Sequence, residues 1–522
     1  MFDIPSEDVT MRRTIRGLAT AAAALALLGT VRGEEARVVF KAGFADRDVS
    51  PKIGDEQPGG YGKAYHRTFH DPCKARAAVF DDGENRVAIV GLDALFIRAR
   101  TVREIRGEIE KKTGIPAGSI LIGASHSHSA GPIGMFLPGE FADAPPLVRD
   151  MVEKETVGAS PEYLEKVKTG IVDAVVEADA RRVPARGAAG FGTAEGVAYN
   201  RRFQMKQGFA MTHPGVGNPD IVEPAGPVDP QVGVLGAWDE SGEMLGCVVN
   251  FACHNTCGVG GISSDYVGYV EKTVKGLMGE DAVVVFVLGM AGDITQVDNR
   301  QPFEGPQFGE AAARRVGGTV GAEACKVLVN AERQAGPLTP VLATSRVLQI
   351  KRRPPSPEHV AAALELVRKP DKTGVDPTEW TFAKETVVLD ERIKKEPVAP
   401  AEVQAIQVGP VVFLTSPAEF FCQYGLDLKA GSKFPYTFPV SLANDVLGYI
   451  PHESAMDPET GGGYETRLTA YSNLEPTAGR RITDALLDLS SRLAPGAVPK
   501  APPTPPFKGK PWTYGDLRPQ LD

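Results

Sequence analysis

The chain has few cysteines, no long basic run and no apolar run that could span a bilayer, and each shortage excludes something. Six cysteines, at 73, 247, 253, 257, 325 and 422, are too few for a disulfide scaffold in 522 residues, although an exported protein could pair some of them. Cys253 and Cys257 flank His254, yet no second pair at ligand spacing follows, which favours small buried residues or one local disulfide over a zinc knuckle. The net charge of −9 comes without a basic stripe that could hold a phosphate backbone, so nucleic acid is not an expected partner. The most apolar stretch, from Leu18 to Leu28, is too short to cross a membrane comfortably, and no internal repeat is visible.

What is present begins with that short stretch. From Met11 the sequence reads MRRTIRGLATAAAALALLGTVRG, a cationic start, an apolar segment and small residues, which is the layout of an export signal over residues 1–33. Residues 1–10 are polar and acidic, so the expected true start is Met11, and the mature chain is expected to begin between Gly29 and Glu35. The destination is then periplasmic or secreted, by a route that the arginine pair Arg12 and Arg13 leaves open. With 42% hydrophobic and 24% charged residues, the rest has the composition of an ordinary globular protein.

Five apolar runs rich in Val and Ile have the length of buried strands: VAIVGLD at 87–93, GSILIGASHSH at 118–128, GCVVNFACH at 246–254, AVVVFVLGMAGD at 282–293 and VGPVVFLTSPAE at 408–419. Helical patterns lie between several of them, such as 101–113 with Val102, Ile105 and Ile109 on one face, and 161–178. The alternation predicts an α/β fold, with mixed β-sheets flanked by helices and a single large catalytic domain over 34–495. The Gly- and Pro-rich stretch 203–235 reads as a long irregular loop, a wall or lid over the site. Segment 352–400 reads as a surface insertion between strands, 482–493 as the last core helix, and 496–522 as an extended or disordered Pro-rich tail.

The apolar runs end in Asp93, in His126 and His128, in His254, in Asp293 and in Glu419, in a chain with only eight histidines. Rigid strands that deliver such side chains to one crevice are the usual plan of an α/β active site. His126 and His128 lie two apart just past a strand, so in extended conformation both imidazoles project to one side. Zinc accepts imidazole nitrogen and carboxylate oxygen, and a catalytic site keeps one position open for water. Taken alone, the pair fits equally a backbone-bonded histidine beside an exposed one.

The segment SHSHSAGPIG at 125–134 resembles the THTHSGPGG element of the neutral, non-lysosomal ceramidases, and further landmarks follow in the family's order. GGYGKAYHRTFHDPCKARAAVF at 59–80 resembles the family's entry segment, and YNRR at 199–202 falls where it has NRS. NFACH at 250–254 with SSDYVGY at 263–269 is similar to WFAVH and SDNxGY, and GMAGDIT at 289–295 to the region of GDVSPN. SPAEF at 416–420 corresponds to PGEF, and GYIP at 448–451 with GGYE at 462–465 to YVTT and QYE. The resemblance spans residues 38–490.

That resemblance implies one zinc per chain held by His126, His254, Glu419 and Tyr449, with His128, Arg201 and Tyr464 around the reacting centre. The implied activity is that of an exported amidohydrolase cleaving an N-acyl amide, ceramide-like or another small-molecule or lipid amide, with zinc-bound water. A deacetylase or esterase on another acylated substrate, or a binding protein without turnover, is the alternative. Two departures stand out. Thr295 occupies the position of a family serine once proposed as nucleophile, which favours water over a side-chain hydroxyl as the attacking group. The chain is also expected to lack the family's C-terminal β-sandwich.

Overall fold

Val- and Ile-rich runs that alternate with amphipathic segments fold, in the computed structural model, into two stacked mixed sheets with helices outside them. Residues 40–300, 306–369, 374–515 and 518–521 are described. The export signal expected at 1–33 lies outside them, and the described residues belong to one compact unit, Val38–Asp522.

Strands β1 (Lys41–Asp48), β2 (Lys74–Asp81) and β3 (Arg86–Leu92) lead to helix α1 (Ala99–Thr113) and β4 (Ile120–Ala124). Helices α2 (Pro146–Lys154) and α3 (Pro161–Ala180) precede β5 (Val183–Thr193). Then come β6 (Tyr199–Asn200), β7 (Arg202–Met205), β8 (Ala210–Thr212), β9 (Ile221–Pro224), β10 (Gln231–Asp239) and β11 (Met244–Phe251). Helix α4 (Tyr266–Met278), β12 (Val283–Leu288), β13 (Ile294–Thr295) and α5 (Glu310–Ala331) close the first half. The second half holds β14 (Val341–Lys351), α6 (Pro357–Val367), α7 (Pro377–Lys395), β15 (Val398–Val408) and β16 (Val411–Thr415). It ends with β17 (Glu419–Phe420), α8 (Cys422–Gly431), β18 (Tyr436–Val440), β19 (Tyr449–Ile450) and α9 (Ala478–Ser491).

The larger sheet has the order β12-β11-β10-β5-β1-β2-β3-β4, antiparallel except for the parallel pairs β11·β12 and β3·β4 at its two ends. The smaller sheet is β14-β15-β16-β18. Apolar residues of the two sheets, among them Phe80, Ile89, Val248, Phe413 and Phe438, form the core between them. Helices α1, α3, α4 and α5 cover the outer face of the larger sheet, and α8 and α9 that of the smaller. Helix α1 follows from its stripe of Val102, Ile105 and Ile109, each worth about 1.5–3 kcal/mol when buried, and it stops at Gly114, whose φ of 74° suits a residue without Cβ.

One detail of the sheet decides where the site forms. Strand β1 pairs with β5 over only two residues, so the sheet divides there into two halves. Across that division β12 packs on β3 so closely that a Cβ on Gly91 would lie 2.3 Å from the Phe286 carbonyl oxygen. The close approach gathers the carboxyl ends of β4, β11 and β12.

One expectation needs correction and another gains detail. The stretch 203–235 is not one unbroken loop: it carries the three short strands of a ribbon, β8-β7-β9, with irregular chain at 213–220 and 225–230 before β10, and positive φ at Gly208, Gly215 and Gly217 marks its turns. Segment 352–400 does lie between two paired strands, β14 and β15, but its helices α6 and α7 pack on α2 around a core of their own that includes Phe136, Phe141, Val387 and Leu389. No helix among the described residues is long and apolar enough to cross a membrane.

Candidate metal centre

His126 follows β4, His254 follows β11, and Glu419 opens the short strand β17, so three separate elements deliver the three side chains. They converge: Glu419 Oε2 lies 3.2 Å from His126 Nε2 and 3.0 Å from His254 Nε2, and all three residues are buried. His126 departs from the extended conformation expected of a His-x-His pair. Its φ of 64° turns the chain, and the His126 and His128 rings meet edge to face, 4.9 Å apart.

The other ring nitrogens show which tautomer each ligand holds. His126 Nδ1 lies 2.8 Å from the Leu95 carbonyl oxygen and His254 Nδ1 2.6 Å from that of Ala291. A carbonyl only accepts, so each Nδ1 carries the proton and donates, and each Nε2 points a lone pair at Glu419. Burial and the Arg201 cation push the His254 imidazole down to about 4, which keeps it neutral. Three acceptors thus face one point with no proton among them, and Glu419 Oε2 is a buried oxygen without a hydrogen-bond donor. The His126, His254 and Glu419 triad could hold a metal ion, and a cation is what this donor set lacks.

Around the triad, Glu419 pairs in register with Tyr449 across the parallel ladder β17·β19, which sets the two side chains next to each other. Tyr449 Oη lies 3.4 Å from His254 Nε2. The Arg201 guanidinium lies 5.4 Å from the Tyr449 ring centroid and donates to Glu465 Oε1 at 2.7 Å and to the Gly292 carbonyl at 2.9 Å. Burial works against this cation, but Tyr449 and Glu465 outweigh it. His128 Nε2 is 3.4 Å from His126 Nε2. Its ring rests on Gly59, where a Cβ would lie 2.1 Å from Nδ1, and burial together with the neighbouring imidazoles lowers its pKa well below the usual value. Tyr464 sits farther out, at the rim, where its hydroxyl donates to Tyr61 Oη at 3.1 Å. All seven residues line one cavity of about 240 Å³.

The cavity does not take in every strand ending. Asp93 accepts from Arg76 at 2.6 Å in a buried ion network with Glu271 and Lys74, away from the triad. Asp293 accepts from the Cys422 amide and the Asn200 side chain, and its carbonyl receives the Arg201 amide, so it braces the site from behind. Thr295 is buried, donates to Gln296 at 3.0 Å and is not a lining residue. All six cysteines are buried and free. Two supporting residues escaped sequence reading. Tyr471 donates to Glu419 Oε1 at 2.7 Å, with nothing in its local sequence to single it out, and Glu465 was visible only as the neighbour of Tyr464 in GGYE.

Over 308 residues the chain is 25% identical to the neutral ceramidase of Pseudomonas aeruginosa, a match that covers 56% of this chain and 42% of that protein. The chain is a distant relative of neutral ceramidase. The crystal structure of neutral ceramidase from Pseudomonas aeruginosa matches with a TM-score of 0.63 at 20% identity, over 88% of this chain and 76% of that one. A ceramidase complexed with C2 gives 0.64 at 20% identity, over 89% and 77%. The ceramidase-like fold therefore extends well beyond the aligned sequence, whereas the sequence match spans less than half of the curated relative's length. No family model matches the chain.

Proposed function

We propose that the chain is an exported, zinc-dependent amidohydrolase that cleaves an N-acyl amide of the ceramide type. The observation that carries this is the convergence of two Nε2 lone pairs on one unpartnered carboxylate oxygen at 3.0 and 3.2 Å. Donor atoms about 2.0–2.1 Å from one tetrahedral zinc lie roughly 3.3–3.4 Å apart, close to that spacing. Two neutral imidazoles and one carboxylate suit zinc, and one ion per chain is the stoichiometry of the set, with the Tyr449 hydroxyl as a fourth ligand. A zinc ion held by these residues would supply a Lewis acid for the acyl carbonyl and would lower the pKa of a water toward neutrality.

The chain's own groups fit the rest of the reaction. Arg201 and Tyr464 offer donors to the oxyanion that develops as the carbonyl is attacked, and the Glu465 ion pair keeps the guanidinium in place. His128, neutral beside His126, takes a proton at Nε2 and passes it to the leaving amine. Export is part of the same reading and is supported by the segment from Met11 to Gly33.

The test combines metal analysis of the purified chain with an activity screen over N-acyl and O-acyl substrates. We expect about one zinc per chain and amide hydrolysis, both lost in His254→Ala because the remaining ligands leave an incomplete site. Full zinc content with no hydrolysis of any amide refutes the amidohydrolase and leaves a binding protein; turnover of esters or acetylated sugars alone moves the activity to another acyl substrate.

A further inference from the structure

Of the donors around the reacting centre, Arg201 is buried and locked by its ion pair, whereas Tyr464 stands at the rim with 36% of its surface exposed. A donor stabilises a developing oxyanion only if it is held in place beforehand, so something has to fix the Tyr464 hydroxyl. Its ring meets Tyr449 edge-on, with centroids 5.5 Å apart, and its hydroxyl meets Tyr61 Oη at 3.1 Å.

Tyr61 lies on a loop with glycines at 59, 60 and 62, a composition that by itself leaves the backbone free. Contacts on both sides remove that freedom. Toward the site, Gly59 rests on the His128 ring, and Gln57 Nε2 donates to the His128 carbonyl at 3.0 Å. From outside, Phe382 of α7 packs edge-on against the Tyr61 ring at 5.6 Å, and the Arg467 guanidinium stacks 3.4 Å from the Phe382 centroid. Two residues along α7, the buried Lys384 ammonium donates to the Tyr61 carbonyl at 2.9 Å, and to the Glu155 carbonyl and Thr156 Oγ1 at 3.1 and 3.0 Å. The inserted helix thus holds Tyr61 by ring and backbone, and Tyr61 holds Tyr464.

A tyrosine hydroxyl both donates and accepts. Tyr464 donates to Tyr61 here; when its proton turns to an oxyanion, its oxygen becomes an acceptor, and Tyr61 is in place to turn its own proton to it. Hydrogen bonds in such a chain polarise one another, so the bond behind Tyr464 strengthens the one in front.

We propose that Tyr61 is a positioning residue for hydrolysis, acting through Tyr464: its hydroxyl fixes the Tyr464 hydroxyl and donates to it as Tyr464 donates to the oxyanion. The proposal rests on the amidohydrolase reading above. The experiment is a double-mutant cycle of Tyr61→Phe and Tyr464→Phe in the full chain at equal zinc content, with an N-acyl amide of a long-chain amino alcohol as substrate and the released amine measured. Tyr464→Phe is expected to lower kcat about 100-fold. Tyr61→Phe, which keeps the ring against Phe382, is expected to lower kcat about three- to tenfold with KM within about twofold, and to cost less than about twofold more when Tyr464 is already phenylalanine. Binding of the intact amide to the zinc-free chain, read by calorimetry, is expected to stay within about twofold in Tyr61→Phe, because the hydroxyl acts on the transition state. Should Tyr61→Phe fold poorly, Phe382→Leu, which keeps both hydroxyls and loosens the Tyr61 ring, is expected to lower kcat about threefold, again only where Tyr464 is present. An unchanged kcat in Tyr61→Phe, the same loss in both Tyr464 backgrounds, or amide binding weakened as much as kcat/KM overturns the role of Tyr61 while the amidohydrolase stands. Absence of hydrolysis by the unaltered zinc-loaded chain overturns the amidohydrolase itself, and the role of Tyr61 with it.

Discussion

Tyr471→Phe removes one oxygen atom and little else. The Tyr471 hydroxyl donates to Glu419 Oε1 at 2.7 Å, while the other carboxylate oxygen faces the two imidazoles. The Tyr471 ring packs 6.3 Å from Phe96 and 5.8 Å from Tyr449, so phenylalanine fills the same space and leaves no cavity. A buried hydrogen bond to a charged acceptor is worth about 1.5–3 kcal/mol, or roughly 10- to 150-fold in an equilibrium constant. The bond exists with and without an ion, so only the part that holds the carboxylate in its binding orientation appears in metal affinity. That places the expected weakening near the lower end of the range, about tenfold, within the 10- to 100-fold span common for partners of metal ligands. Competition with a chromogenic chelator measures it, and turnover at saturating zinc is expected to stay within about threefold of the unaltered chain. A zinc affinity within about a factor of two of the original, in a folded protein, would refute the claim that Tyr471 orients Glu419.

Three further outcomes are expected. Arg201→Ala lowers kcat/KM by about two orders of magnitude through loss of an oxyanion donor. It also lowers stability, by about 1.5–3 kcal/mol, because the buried Glu465 loses its 2.7 Å partner but keeps Arg202 Nε at 3.6 Å and the Thr212 hydroxyl at 2.7 Å; steady-state kinetics and urea unfolding read the two effects separately. Thr295→Ala keeps zinc and most activity, since its hydroxyl donates to Gln296 and does not line the cavity, and an inactive variant with full zinc would restore a side-chain nucleophile. Burial pushes the Glu271 carboxyl up from its usual 4.5, but Arg76 and Lys74 outweigh it and hold it at about 2. The Glu271 charge then contributes about 3 kcal/mol that is fully present above about pH 4.5 and is lost as pH falls toward 2. Glu271→Gln removes that acid-side slope, and equal pH dependence of urea unfolding in the two proteins counts against it.

The strand and helix content was legible because buried strands and amphipathic helices carry their own periodicity. The run at 118–128 contains β4, that at 246–254 contains β11, and the stripe of Val102, Ile105 and Ile109 lies in α1. The ribbon β8-β7-β9 was not legible, since its glycines have the same composition whether they end hairpin strands or fill a loop. Asp93 and Asp293 carried the same signal as the triad, a polar residue closing an apolar run, and only their partners in space separate an ion network and a brace from a ligand set.

By itself the sequence determined which residue types were available and where local order would form: His126, His254 and Glu419 at the ends of apolar runs, and Tyr449 and Tyr464 in short motifs near them. The tertiary structure decided which of these meet. His126 and His254 share a point because β12 packs on β3 at Gly91, a contact between segments nearly 200 residues apart that no local pattern encodes. It also decided the protonation of the ligands, through the Leu95 and Ala291 carbonyls, and the partner of Glu419, through Tyr471. The physical reason is range: periodicity and propensity act over a few residues along the chain, whereas a metal site is made of atoms about 3 Å apart in space, placed by packing among distant segments.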